Sequence, residues 1–175
     1  AMMILLPGGS GCGKSSFAER LCMQLPLPRH YIAAMKPYGA GGMEKVARHR
    51  RLRAGKGFET FECYTGMESL RLPARGTTLL ECVCNLTANE MFDDEGRMTD
   101  PYERVLAGVE NLRRQSGALI VVTNDVGSDT GDYPPETRAY IEVLGRINAE
   151  LARRADTVCE LVCGIPIVLK GALPE

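Results

Sequence analysis

Several features that would assign this chain to a common class of protein are missing from its sequence. It has no tryptophan and only 6% aromatic residues, so a surface that stacks nucleic-acid bases is not expected. Its 21 basic and 22 acidic residues leave a net charge of -1, which gives no indication of a nucleic-acid or membrane partner. No segment is long and apolar enough to span a bilayer, and the apolar start at 2–6 is too short for a signal peptide. These absences predict a cytoplasmic protein without nucleic-acid or membrane partners.

The seven cysteines contain no CxxC pair, and their number is odd. Most of them lie in apolar stretches such as Leu80–Cys84, where reduced thiols pack as small apolar groups. We therefore expect buried or half-buried free thiols in a cytosolic protein, rather than a metal site or disulfides. With 175 residues, 45% of them hydrophobic, the chain is expected to form one domain over 1–175.

Short apolar runs alternate with amphipathic patterns along most of the chain, which predicts an α/β fold with three layers and a mainly parallel sheet. Cys163–Gly164 separates the last two apolar runs, which indicates a tight turn and an antiparallel C-terminal edge strand. The glycines in Lys36–Gly42 predict a flexible loop. Strands are predicted at 2–6, 31–34, 58–63, 78–84, 118–123, 158–162 and 165–170, and helices at 14–25, 43–54, 101–115 and 136–154.

One segment matches the phosphate-binding pattern GxxxxGK[ST] in full, between a predicted strand and a predicted helix. Its glycines let successive N–H groups point at phosphate oxygens, and the helix N-terminus adds positive potential. Lys14, on a solvent-facing loop, is expected to reach the β- and γ-phosphates of ATP or GTP, and Ser15 to bind Mg²⁺. The sequence therefore predicts a three-layer P-loop NTPase fold. The segment comprises Gly8, Gly9, Ser10, Gly11, Cys12, Gly13, Lys14 and Ser15.

A P-loop enzyme needs an acid to support its metal ion, and two carboxylates follow apolar runs at the ends of predicted strands. These are Glu81 and Asp125. Because ligands bind beyond the carboxyl ends of parallel strands, both are well placed. Either of them could instead be an ordinary solvated or helix-capping carboxylate. Glu81 is favoured as the metal ligand because it directly ends an apolar run.

The segment Arg48–Arg53 is intensely basic and contains one of the two histidines. A solvated helix face is the simplest interpretation of such a charge run. A neutral imidazole surrounded by guanidinium groups is also what a nucleophile that attacks phosphorus needs. Helical spacing predicts Arg53 on the same face as His49, and Arg50 and Arg51 pointing elsewhere. The other histidine, His30, is expected at the surface.

Beyond the P-loop, short motifs follow one another in a fixed order over nearly the whole chain. They are Ala18–Glu19, Tyr31–Ala33, His49–Arg50 with Arg53, Phe58 and Glu62, Leu79–Cys82, Thr123–Gly127, Gly145–Asn148, Leu151–Ala152, Ala155–Asp156 and Gly164–Pro166. With this set the chain resembles the bifunctional adenosylcobinamide kinase/adenosylcobinamide-phosphate guanylyltransferase family of cobalamin biosynthesis.

The resemblance implies two reactions on a corrinoid substrate. A nucleoside triphosphate phosphorylates adenosylcobinamide, and GMP from GTP then passes through a guanylylated histidine to the new phosphate. His49 matches that histidine, and Lys14 and Glu81 are expected to act with it in catalysis. The resemblance also implies a trimer. The positions that match nucleotide-binding residues outside the P-loop are Ala33, Ala34, Met35, Arg50, Arg51, Leu52, Arg53, Glu62 and Glu81.

Three segments depart from the family's pattern. Ala34–Met35 replaces its Thr or Ser, 36–42 replaces an acidic stretch, and 128–134 replaces a glycine-hydrophobic-proline segment. Two alternatives therefore stay open at this point. One is a kinase for another small molecule, in which His49 and its arginines hold an acceptor phosphate. The other is a P-loop protein that binds nucleotide without catalysis.

Overall fold

The computed structural model describes residues 2–9, 11–36, 39–124 and 133–175. Seven strands and five α-helices lie within these residues, with a short 3-10 helix at Met67–Ser69. The strands are Met2–Leu6 (β1), Arg29–Ala33 (β2), Phe58–Glu62 (β3), Thr77–Glu81 (β4), Ala118–Val122 (β5), Thr157–Val162 (β6) and Ile165–Lys170 (β7). The helices are Lys14–Met23 (α1), Gly39–Arg53 (α2), Val83–Met91 (α3), Tyr102–Gln115 (α4) and Pro135–Arg154 (α5).

The strands form one sheet in the order β3-β2-β4-β5-β1-β6-β7. All neighbouring pairs are parallel except β6 and β7, which confirms the predicted parallel sheet with an antiparallel C-terminal edge strand. Because the strands are parallel, the carboxyl ends of β1, β2 and β4 lie along the same edge of the sheet. That edge carries the P-loop after β1 and Glu81 at the end of β4.

Helices cover both faces of the sheet, so the inner strands are buried on both sides. Ala18, Leu21 and Cys22 of α1 pack on one face against side chains such as Ile4 and Leu79. The other face is covered by α3, α4 and α5, whose apolar side chains form the larger core cluster. Among the described residues, no helix combines the length and the apolar composition needed to cross a membrane.

Two predicted boundaries differ from the structure by more than two residues. The predicted strand 78–84 ends at Glu81, and Val83–Met91 forms α3. A short apolar run does not distinguish a strand from a buried helix, and here one run belongs to both. The predicted loop 36–42 overlaps α2, which begins at Gly39, although glycine is a poor helix former. Residues 37 and 38 lie outside the described part of the chain.

His30 is buried, and its predicted surface position is therefore wrong. It lies on β2 between β3 and β4, has 0% exposure and forms a T-shaped ring pair with Phe61 at a centroid distance of 5.6 Å. Among the described residues, neither ring nitrogen of His30 has a hydrogen-bond partner. Burial lowers the pKa of His30 below its ordinary value, because the charged imidazolium loses its hydration.

We expect His30 to make the protein less stable in mild acid. In the unfolded chain the imidazole of His30 binds a proton near pH 6.5, whereas in the folded chain it binds a proton only at lower pH. The free energy of unfolding should therefore fall as the pH drops below about 6.5, by at most about 1.4 kcal/mol per pH unit. The His30→Phe variant should lack this part of the acid dependence. Urea unfolding of both proteins between pH 7.5 and 5 measures the difference, and parallel pH profiles would contradict the prediction.

Candidate nucleotide-binding and histidine site

The P-loop turns from β1 into α1 through glycines in conformations that favour this residue. Gly11 and Gly13 have φ of 72° and 85°, and Gly13 is the N-cap residue of α1. A Cβ at Gly8 would lie 2.9 Å from the Sγ of Cys12 and from the carbonyl oxygen of Leu161, so a larger residue does not fit there. The loop therefore has the backbone geometry that phosphate binding requires. Ser10 lies outside the described residues.

Lys14 is the first residue of α1 and is only 7% exposed, so its predicted position on a solvent-facing loop is wrong. Its Nζ donates hydrogen bonds to the carbonyl oxygens of Gly8 at 3.0 Å and Gly9 at 2.6 Å. The ammonium group is therefore held inside the curl of the loop. A triphosphate bound there would meet a cation already in place.

Glu81 ends β4 and is 8% exposed, with its two carboxylate oxygens in different surroundings. Oε2 accepts a hydrogen bond of 3.0 Å from the hydroxyl of Tyr31, whereas Oε1 has no hydrogen-bond partner among the described residues. Burial, and then the neighbouring Glu81 charge, raise the pKa of Tyr31 above its ordinary value, so its hydroxyl stays protonated. Tyr31 matched a family motif, but nothing in its sequence pattern pointed to this bond.

Helix α2 places His49 beside this carboxylate and Arg53 over the ring of Tyr31. The Nδ1 atom of His49 lies 3.5 Å from Oε2 of Glu81, and the imidazole is partly exposed. The guanidinium carbon of Arg53 lies 3.5 Å from the centre of the Tyr31 ring, and Arg53 is 7% exposed. Its Nε and Nη1 have no hydrogen-bond partner within the described chain. The predicted common face of His49 and Arg53 is thus confirmed.

Arg50 also lines the site, which corrects the expectation that it points elsewhere. Its long side chain reaches back to Glu62 at the end of β3, where Nη2 lies 2.6 Å from Oε1. The hydroxyl of Tyr64 donates to the other oxygen of Glu62 at 3.1 Å. Arg51 is exposed and does not line the cavity, in agreement with its predicted direction away from His49, and the side chain of Leu52 lies outside the described part of the structure.

These elements enclose one cavity of about 390 Å³. The P-loop contributes residues 11–15 to its wall, and α2 contributes Arg48–Arg50 together with Arg53. The ends of three strands contribute Ala33, Glu62 and Glu81, and Met35 follows Ala33. Most of the residues predicted for the site are therefore brought together. The cavity therefore combines a phosphate-binding loop with a histidine, a buried carboxylate and several guanidinium groups.

Several of the predicted residues do not line the cavity; among the described residues these are Gly8, Gly9, Ala34 and Arg51. Ala34 is fully buried, and its backbone N–H and carbonyl bond to Glu81 and Asn89 respectively. Asp125, the alternative metal ligand, lies outside the described residues, as do residues 128–132 of the divergent loop.

All seven cysteines are free, and only Cys163 is exposed, which confirms the predicted free and mostly buried thiols.

The sheet order, the P-loop and the cavity define this chain as a P-loop nucleotide-binding protein. A solved ATPase from the type III secretion system of pathogenic bacteria has the same fold, with a TM-score of 0.55 and 12% identity. The alignment covers 92% of this chain and 51% of that protein, and shows the fold alone.

Residues 4–169 match the model of the cobinamide kinase/cobinamide phosphate guanyltransferase family, and the chain belongs to this family. It is 30% identical to the bifunctional adenosylcobalamin biosynthesis protein CobP of Pseudomonas aeruginosa, over 97% of this chain and 98% of that protein. It is 29% identical to the bifunctional adenosylcobalamin biosynthesis protein CobU of Salmonella typhimurium, over 97% and 100% of the two chains. The CobU protein of Escherichia coli is 28% identical over the same shares. The resemblance inferred from the motifs is thereby confirmed.

Proposed function

We propose that this protein phosphorylates adenosylcobinamide and then transfers GMP from GTP, through a guanylylated His49, to adenosylcobinamide phosphate. Membership of the family supports the pair of reactions. The observation that carries the histidine step is the position of His49, whose Nδ1 is 3.5 Å from buried Glu81 in the cavity that the P-loop also lines. An imidazole next to a carboxylate keeps one nitrogen protonated and leaves the other as a nucleophile.

In the kinase reaction, the P-loop residues Gly8 to Ser15 bind the triphosphate through their N–H groups, and Lys14 holds the β- and γ-phosphates. The described residues fit a Mg²⁺ ion, because the Ser15 hydroxyl and the unpartnered Oε1 of Glu81 supply the oxygen ligands that this ion prefers. When bound, Mg²⁺ neutralises charge that develops on the phosphates. The remaining ligands in such sites are phosphate oxygens and water.

In the transfer reaction, the arginines of α2 offset the charge of the triphosphate. The surroundings of Arg53 give the most direct support for this role. Arg53 is buried, and two of its three side-chain nitrogens lack a hydrogen-bond partner among the described residues. A buried cation with free N–H groups is unfavourable unless an anion satisfies it. Glu62, Arg50 to Arg53 and Ala33 to Met35 complete the proposed nucleotide-binding surface.

The proposal also covers the substrates, the oligomeric state and the location of the enzyme. ATP or GTP serves as phosphate donor and GTP as GMP donor, with a corrinoid as acceptor. We further propose that the chain is a single domain over 1–175, and that it acts as a trimer in the cytoplasm. The family resemblance supports the trimer and the corrinoid.

Product analysis tests the function directly. The protein is incubated with adenosylcobinamide, Mg²⁺ and ATP or GTP, and corrinoids are separated by chromatography and identified by mass. Adenosylcobinamide phosphate, followed by adenosylcobinamide-GDP when GTP is present, is the expected result. Turnover of nucleotide with another acceptor and no corrinoid product would favour a different small-molecule kinase. Tight binding without turnover would favour a nucleotide-binding protein without catalysis.

We expect Glu81→Gln to lower both activities by at least about 10²-fold, because the site loses a positioned carboxylate. An amide offers one acceptor oxygen, whereas Oε1 and Oε2 of Glu81 have separate proposed partners. Initial rates with saturating nucleotide measure the effect. Asp125→Asn is the matched comparison, and a larger loss there than at Glu81 would reassign the metal-supporting carboxylate.

A further inference from the structure

Two side chains meet the same oxygen atom of Glu81. The hydroxyl of Tyr31 donates to Oε2 at 3.0 Å, and Nδ1 of His49 lies 3.5 Å from Oε2. We infer that Tyr31 is a positioning residue that holds Glu81 against Nδ1 of His49, so that Nε2 is the atom that attacks the α-phosphorus. This inference rests on the proposed transfer of GMP through His49.

Tyr31 is suited to holding another side chain because it is itself fixed. It lies on β2, an inner strand paired with β3 on one side and β4 on the other, and it is 3% exposed. Its ring forms a T-shaped pair with the Phe58 ring at a centroid distance of 6.3 Å, and the Arg53 guanidinium lies over its face. A buried aromatic ring stacked in this way has little rotational freedom left. The Tyr31 hydroxyl is therefore a donor at a defined point, and it orients Oε2.

The orientation of Glu81 decides which imidazole nitrogen reacts. A carboxylate oxygen facing Nδ1 favours the tautomer with the proton on that nitrogen, which leaves the lone pair on Nε2. The separation of 3.5 Å is longer than a hydrogen bond, and such contacts tighten when a substrate is bound. Arg53 lies on the same helix one turn further on, and its Nε and Nη1, which have no hydrogen-bond partner among the described residues, can meet the phosphates.

The step balances without a proton leaving the histidine. The Nε2 lone pair forms a bond to the α-phosphorus, and the bond from that phosphorus to the bridging oxygen breaks. Pyrophosphate leaves with the electron pair. The Nδ1 proton stays on the ring, and the positive charge of the phosphorylated imidazole lies beside Glu81. When a phosphate oxygen of the acceptor attacks, the N–P bond breaks and its electrons return to Nε2.

The Tyr31→Phe variant tests the positioning role because it keeps the ring under Arg53 and removes only the hydroxyl. We expect formation of the GMP adduct in a single turnover at saturating GTP to be about tenfold slower, with little change in KM for GTP. The matched control is Tyr64→Phe, which also removes a Tyr–Glu hydrogen bond on the cavity wall, that to Glu62. Its effect is expected in KM for GTP rather than in the rate at saturation.

A second measurement uses the wild-type protein and does not depend on the folding of any variant. The GMP adduct is formed on protein labelled with ¹⁵N-histidine, and NMR identifies the modified nitrogen. Phosphorus on Nε2 is the expected result. An adduct on Nδ1, or a folded Tyr31→Phe variant that forms the adduct at the wild-type rate, would overturn the inference and leave the proposed function intact. A wild-type protein that forms no adduct would overturn the proposed function itself.

Discussion

Replacing His49 with alanine or asparagine is expected to abolish the covalent adduct with GMP. Wild type incubated with GTP and Mg²⁺ should gain the mass of one GMP, and both variants should gain none. The physical reason is that a neutral imidazole can attack phosphorus and can later leave it when the GMP is transferred. The side chains of alanine and asparagine can do neither. Intact-mass spectrometry under neutral conditions gives the measurement, and brief acid treatment should release the GMP.

His30 provides the control for this experiment, because it is the only other histidine in the sequence. It is buried beside Phe61 and is not part of the cavity wall. The His30→Phe variant should therefore still form the adduct. A wild-type protein that transfers the γ-phosphate but never gains GMP would leave a kinase and exclude the guanylyltransferase reaction. An adduct that persists in both His49 variants would place the nucleophile elsewhere.

Loss of the P-loop lysine should have the largest effect on phosphorylation. We expect Lys14→Ala to lower kinase turnover by about 10²- to 10³-fold or more and to weaken triphosphate binding, because charge on the β- and γ-phosphates loses its fixed cation. The structure shows the ammonium group already held by the carbonyl oxygens of Gly8 and Gly9. Initial rates and calorimetric titration with a non-hydrolysable triphosphate measure the two effects.

The control for Lys14 is Arg20→Ala, which removes the same charge from an exposed position on the same helix. It should leave turnover near the wild-type value. Because Lys14 is buried and bonded to the loop, thermal unfolding of Lys14→Ala shows how far the variant is destabilised. Near-normal turnover in Lys14→Ala would mean that the P-loop does not act as a phosphate-binding loop in this protein.

Local patterns in the sequence were sufficient for most elements of the fold. The P-loop was predicted from a contiguous motif of glycines, lysine and serine. Because these residues are neighbours in sequence, the prediction did not depend on any residue distant along the chain. The strands at Met2–Leu6 and Ile165–Lys170 agree with their predicted bounds. The boundary at Glu81 could not be predicted, because one apolar run supplies the end of β4 and the start of α3.

The candidate site was only partly predictable. Glu81 and His49 were singled out from their position and their neighbours, and the structure places them 3.5 Å apart. The burial of His30 and the hydrogen bond from Tyr31 were not foreseen. His30 follows Arg29 in the sequence, which favours an exposed position, whereas it is buried in the structure. Tyr31 lies in an apolar run, which indicates a core residue and gives no sign of a hydrogen bond to Glu81.

The sequence by itself determined the class of fold, the P-loop and the family, because each depends on short-range patterns or on the order of motifs along the chain. Only the tertiary structure decided which side chains act together. Tyr31 and Glu81 are 50 residues apart and meet because β2 and β4 are parallel neighbours in register, with Ala33 paired to Glu81. His49 joins them because α2 lies over the carboxyl ends of these strands. Contacts of this kind depend on register and packing between elements, which no local pattern specifies.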